Sequence, residues 1–206
     1  MSELITLKTQ KREQTGKGAA RKLRTAGRTP AVFYTREGKN ICLSVNEKEL
    51  GLLYAKTRRT QVFNVEISEN GSTSIHPALI WDVDYFPVKN RIQHVDILGV
   101  ELEREIKIRV PLEFTGTAKG IKIGGQLEIY REHVPVIGKP LDIPQKIRVD
   151  ISDLDINNFI YVKDLALPAG TRVDMDSDAA VAAVLIVRET NEQETAEADT
   201  AAPAAE

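Results

Sequence analysis

The sequence predicts a mainly β protein of the α+β kind, folded in two parts and ending in a disordered acidic tail. Three observations carry this reading. Apolar residues recur at period two along most of the chain, the spacing of half-buried strands. Glycine, proline and Asn-Gly pairs cut the pattern into short runs, as at Asn70-Gly71, Gly99 and Gly116. Helical composition is confined to the first part of the chain, and no convincing long helix follows Gly99.

Residues 3–9, ELITLKT, place Ile5 and Leu7 on one face of a first strand. Lys17 to Gly27 is rich in Ala, Leu, Lys and Arg and forms a helix, which Gly27 and Pro30 stop. AVFYT and ICLSV flank REGKN as a hairpin with Gly38 in its loop. NEKELGLLYAK opens a second helix, with Asn46 as its cap and Glu49 placed to reach back. TQVFNVEIS and STSIHPALIWDV form a hairpin about Asn70-Gly71, and RIQHVDILGV is the strand after it. Beyond Gly99, REIKIRVPLEFTG, QLEIYREHVPVIG and QKIRVDIS read as strands, and AAVAAVLIV as a last buried one. The segment NEQETAEADTAAPAAE has no aromatic or large aliphatic residue, so nothing offsets the entropy of ordering it. The expected division is residues 1–97, 98–188 and a tail of 189–206.

The net charge of −2 conceals an asymmetry. Residues 1–40 carry ten Lys or Arg against three Asp or Glu, whereas residues 189–206 carry six acids and no base. Such a basic start points to a polyanionic partner for one end of the chain. The single cysteine, Cys42, excludes an internal disulfide framework and a multi-thiolate metal site, and suits a reducing cytosol. The N-terminus MSELITLKTQ has no long apolar h-region and nowhere do eighteen apolar residues run together, which points to a protein neither exported nor membrane-spanning.

The basic charge is concentrated on the first helix. On a helical wheel Lys17, Arg21, Arg24 and Arg28 fall within about 60° of one another, with Ala19, Leu23 and Ala26 opposite. From Lys17 to Arg24 the stripe covers about 10 Å, enough to meet more than one phosphate. A solvated, salt-bridged face mixes its signs, yet no acid occurs between Glu13 and Glu37. The face opposite the charges is mostly alanine, poor material for insertion into lipid. Nucleic acid is the better polyanion.

Little else carries chemistry. DMDSDA at 174–179 resembles the start of a calcium loop, but Ala179 and Leu185 stand where that loop needs glycine and glutamate. GKGAARK and GTAKGIKIGG miss the phosphate-loop pattern. His76, His94 and His133 lie in separate strands without ligand spacing, and Cys42 alternates with apolar neighbours. His94 and Asp96 share one strand face if Val95 and Ile97 face a core. No catalytic residue, metal or cofactor is expected.

KREQTGKGAARKLRTAGRTPAVFY, followed about sixty residues later by FPVKNRIQHVDILGV, resembles the bacterial large-subunit ribosomal proteins of the L25 family, in their long, general-stress (Ctc) form. PLEFTGTAKGIKIGGQLE, IPQKIRVDISDLDI and VKDLALPAG resemble the β domain appended in that form. The resemblance implies an N-terminal β-barrel with helical excursions that grips an internal loop of 5S ribosomal RNA through its minor groove. Carried over by motif, its RNA-binding residues are Arg12, Lys17, Arg21, Arg24, Tyr34, His94 and Asp96. It also implies a cytoplasmic, non-enzymatic component of the large ribosomal subunit, with no membrane or small-molecule partner. Two departures stand out: Ala20 where some members have serine, and NNFIYVKDL where a G-D-S-like turn is usual. The competing reading is a stress-related ligand- or protein-binding β protein with only loose RNA affinity.

Overall fold

The computed structural model describes residues 4–35, 38–69, 72–88 and 91–186. The Asn70-Gly71 turn and the acidic tail therefore lie outside the described residues. The first half runs β1 (Thr6–Lys11), α1 (Lys17–Thr25), β2 (Arg28–Tyr34), β3 (Asn40–Asn46), α2 (Glu47–Thr57), β4 (Phe63–Glu69), β5 (Ser72–Tyr85) and β6 (Ile92–Gly99). Its six strands close into a barrel in the order β1-β3-β2-β6-β5-β4. Closure leaves no unpaired sheet edge. The pairings β1–β4 and β2–β6 are parallel and the others antiparallel.

Period-two alternation fills the barrel. Leu7, Ala31, Phe33, Leu43, Val45, Phe63, Val65, Ile67, Val95 and Ile97 are buried in one cluster, which α2 completes with Leu50 and Leu53. The first strand starts later than expected. Ile5 is 39% exposed before it, and Leu7 and Thr9 are its inward pair. The Thr9 hydroxyl donates to the Glu66 carbonyl at 2.9 Å, which satisfies a polar group inside the barrel wall. α1 ends at Thr25, with Gly27 at φ 73° just past it, a left-handed position suited to glycine. Pro30 falls inside β2 rather than in a loop. There β2 pairs only with β3, because β6 joins from Ala31 onward, so the missing N–H removes no ladder bond to β6. On α2, Asn46 Oδ1 accepts from the Lys48 amide at 3.0 Å; Glu49 does not complete the box among the described residues.

The second half contains β7 (Ile106–Thr115), α3 (Lys119–Lys122), β8 (Gly125–Ile129), β9 (His133–Gly138), β10 (Ile147–Asp150), β11 (Phe159–Tyr161), β12 (Arg172–Val173) and β13 (Ala180–Ile186). They form one sheet, β10-β7-β9-β12, and another, β11-β13-β8. QLEIYREHVPVIG, expected as one strand, is two. The Tyr130 and Arg131 amides both donate to the Val181 carbonyl, at 3.0 and 3.2 Å, and turn the chain out of one sheet into the other. The NNFIYVKDL departure supplies β11, preceded by Asn157 at φ 62°, a left-handed conformation that asparagine tolerates.

The expected last strand is β13, and Val181 to Val184 are fully buried on it. Two glycines let α3 and β8 approach it. A Cβ at Gly125 would lie 2.6 Å from Val184 Cγ1 and 2.9 Å from the Gly120 carbonyl oxygen. Gly125→Ala is therefore expected to destabilise the fold by about 1–3 kcal/mol through overpacking, read as a lower urea midpoint with an unchanged slope. The two halves share core: Val62, Leu79 and Val100 pack with Ile108, Val110 and Val136. Thr60 Oγ1 donates to the Gln145 carbonyl at 3.3 Å, a further tie between them.

Candidate nucleic-acid interface

Strands β2 and β6 run side by side in parallel, with Val32 opposite Asp96 and Tyr34 opposite Leu98. Val95 and Ile97 point into the barrel, so His94 and Asp96 face outward beside Tyr34. The Tyr34 hydroxyl donates to Asp96 Oδ1 at 3.5 Å, and His94 Nδ1 lies 3.3 Å from the same oxygen. The His94 and Asp96 side chains are 26% and 27% exposed, sheltered yet reachable. Burial, then the Asp96 charge and its hydrogen bond, raise the Tyr34 pKa above that of an ordinary phenol. Tyr34 is thus a neutral hydroxyl throughout the neutral range. Both contacts use Oδ1, which leaves Oδ2 to accept from a donor outside the protein. Tyr34 thus joins His94 and Asp96, about sixty positions further along the chain, in one polar cluster on the barrel wall.

α1 lies against β2 and has no fully buried residue. It carries no acid in its first turn, and Lys22 and Arg24 in its last turn suit the negative end of the helix dipole. Arg24 docks it: its Nε donates to the Gln93 carbonyl at 3.0 Å, and its guanidinium carbon lies 5.9 Å from the Phe86 ring centre. Arg91 adds a clamp that the sequence reading missed. Its Nη2 donates to the Arg24 carbonyl at 2.6 Å, and its guanidinium holds Glu47 through two bonds of 2.6 Å. The sole hint was a basic residue immediately before the QHVD strand.

The end of α1 is thereby fastened one residue from His94. Lys17 and Arg21 stand seven and three residues before Arg24, on the same side of the helix. Both are exposed and make no ion pair among the described residues. Arg28 leaves the expected stripe, because the helix has ended and Arg28 begins β2, with Nη2 donating to the Ser44 carbonyl at 3.3 Å.

Arg12 follows β1, and its backbone amide donates to the Cys42 carbonyl at 2.9 Å. Cys42 on β3 lies opposite Val32, and Val32 lies opposite Asp96, so this anchor is in the same row of the barrel as the polar cluster. Arg12 Nε is buried without a hydrogen-bond partner among the described residues. It lines a groove of about 570 Å³ between α1 and the barrel, with Lys11, Lys22 and Leu23. Lys11 itself pairs with Glu69 across the groove wall. The arrangement offers cations along a helix, then a donor–acceptor cluster at its fastened end. It suits a phosphate backbone with polar edges beside it.

Comparison with known proteins matches the profile of the Ribosomal L25p family over residues 7–97 and that of "Ribosomal protein TL5, C-terminal domain" over residues 105–188. A "Large ribosomal subunit protein bL25" from Nitratidesulfovibrio vulgaris (strain DSM 19637 / Miyazaki F) is 50% identical over 185 residues, covering 90% of this chain and 97% of that protein. The protein of that name from Lawsonia intracellularis is 50% identical over 186 residues, covering 90% and 94%. The one from Paramagnetospirillum magneticum is 36% identical over 204 residues, covering 95% and 100%.

Proposed function

Because the chain belongs to the bL25 family of large-subunit ribosomal proteins, in its long Ctc-type form, we propose that its barrel half binds 5S ribosomal RNA. The protein is a structural constituent of the large ribosomal subunit and not an enzyme. Its work is then done in the cytoplasm, where ribosomes translate. One observation carries the RNA reading: the Tyr34–Asp96–His94 cluster adjoins the fastened end of a helix whose Lys17 and Arg21 make no ion pair among the described residues.

Double-stranded RNA displays ribose hydroxyls and base edges in a wide, shallow minor groove, and irregular loops expose more of them. Lys17 and Arg21 meet phosphates, which fix register without reading sequence. Asp96 accepts from a base amino group or a ribose hydroxyl. Tyr34 and His94 hold that carboxylate and present their own polar groups beside it. Arg12 contributes charge from the groove. The second half carries twelve Lys or Arg against fourteen Asp or Glu over residues 98–188, so its net charge does not favour RNA. Residues 1–97 are thus the proposed RNA-binding part and 98–188 an appended β part.

Footprinting of 5S RNA with the full chain tests this. One continuous internal-loop segment is expected to be protected, and protection no better than that of an unrelated duplex RNA overturns the reading. A salt titration separates the roles. Lys17→Ala and Arg21→Ala each lower the slope of log affinity against log salt by roughly 0.7–0.9. Arg24→Ala also frees α1 from Gln93 and Phe86, so it lowers the melting temperature as well, which the other two do not.

A further inference from the structure

β5 carries an irregularity that ordinary strand pairing does not need. Ile80 lies opposite Ile97 and Asp82 opposite Asp96, so Trp81 is an extra residue in the ladder. Such a bulge re-aims a side chain. Trp81, the sole tryptophan of the chain, is consequently 56% exposed. It lines a cleft of about 650 Å³ between the barrel and the second half, floored by Leu79, Leu98, Ile106 and Ile108.

The charges around this cleft are almost all matched. Arg59 pairs with Asp82 at 2.6 Å, Arg172 with Glu105 at 3.0 Å, and Lys107 with Asp174. Arg109, exposed at the rim, makes no ion pair among the described residues. The two acids of the lining are thus neutralised, and one cation remains for an outside anion. The cleft is continuous with the interface described above. Leu98 lies opposite Tyr34 and two residues along β6 from Asp96, and Asp82 lies opposite Asp96.

We propose that this cleft takes an unpaired nucleotide of the RNA bound by the Tyr34–Asp96–His94 face, its base stacked on Trp81 and its phosphate on Arg109. This rests on the RNA-binding reading and extends it across the junction between the halves. An indole face over an apolar floor accepts any base plane, and a guanidinium at the rim supplies the phosphate contact. Continuity with the RNA face favours a nucleotide over a protein side chain as occupant.

The sole tryptophan makes the test direct. The full chain is titrated with 5S RNA, following Trp81 emission and RNA retention together. Saturable quenching is expected along the same binding curve. Trp81→Ala and Arg109→Gln each weaken binding about tenfold, and Trp81→Phe recovers most of the loss. Arg109→Gln alone of the three lowers the salt slope. Binding that depends on Asp96 but leaves Trp81 unquenched, with both variants at full affinity, overturns the cleft and spares the RNA face. Unquenched emission with Trp81→Ala impairing retention on the large subunit overturns it in favour of a protein neighbour. Failure to bind 5S RNA at all defeats both readings.

Discussion

Asp96→Ala is expected to weaken 5S RNA binding by about 1–3 kcal/mol at every salt concentration, with the salt slope nearly unchanged. A carboxylate beside RNA is repelled by phosphate, so its presence at the interface is favourable only through a specific hydrogen bond. Asp96 is built for one. Tyr34 and His94 both contact Oδ1, which orients the group and leaves the second oxygen without either contact. Removing the side chain deletes the acceptor and frees both partners, and phosphate contacts made elsewhere are untouched. Asp96→Asn, which keeps an oxygen of the same shape but loses the charge, should fall between wild type and alanine. Discrimination against a mutated RNA loop falls in parallel with affinity. Tighter and equally selective binding by Asp96→Ala would show that the carboxylate is a tolerated surface charge.

The second large effect is on stability. A fragment of residues 1–103 is expected to lose about tenfold in affinity for 5S RNA, or 1.4 kcal/mol, through the missing Arg109, and no more, because it contains all seven residues of the proposed barrel-face interface. It should nevertheless lose on the order of 3–6 kcal/mol of unfolding free energy. Val62, Leu79 and Val100 are 7%, 2% and 6% exposed, and the second half covers them. A fragment ending at residue 97 fares worse, since it cuts β6 before Gly99 and removes the Val100 amide bonded to the Pro77 carbonyl at 3.0 Å. Urea denaturation and filter binding on both fragments measure the two quantities separately. A thousandfold loss of affinity in the longer fragment would refute the division of labour.

The strands that were easiest to read were those with one wet face. β4 and most of β6 alternate as their sequences suggest, because burial of one face imposes period two. Where local signals misled, a longer-range partner had taken over. Pro30 resembled a helix stop and lies within a strand, at a point where β2 pairs with β3 alone. QLEIYREHVPVIG resembled a single strand, and the distant Val181 carbonyl divides it. Arg28 sat on the helical wheel, yet the helix had already ended at Thr25.

The interface divides in the same way. A basic helix without acids and an outward His94 and Asp96 were legible in the sequence, because charge and alternation are properties of neighbouring residues. Family resemblance singled out Tyr34 and Arg12. The convergence of Tyr34 with Asp96, 62 positions apart, depends on the parallel pairing of β2 with β6, which no local pattern encodes. So does the fastening of α1 by Arg24 and Arg91, which turns one of the apparent phosphate ligands into an anchor. The exposed Trp81 belongs there too, since a bulge exists only relative to the strand it mismatches. Residue chemistry and its period travel with the chain, whereas the meeting of side chains across a closed barrel is decided by which strands pair and in what register.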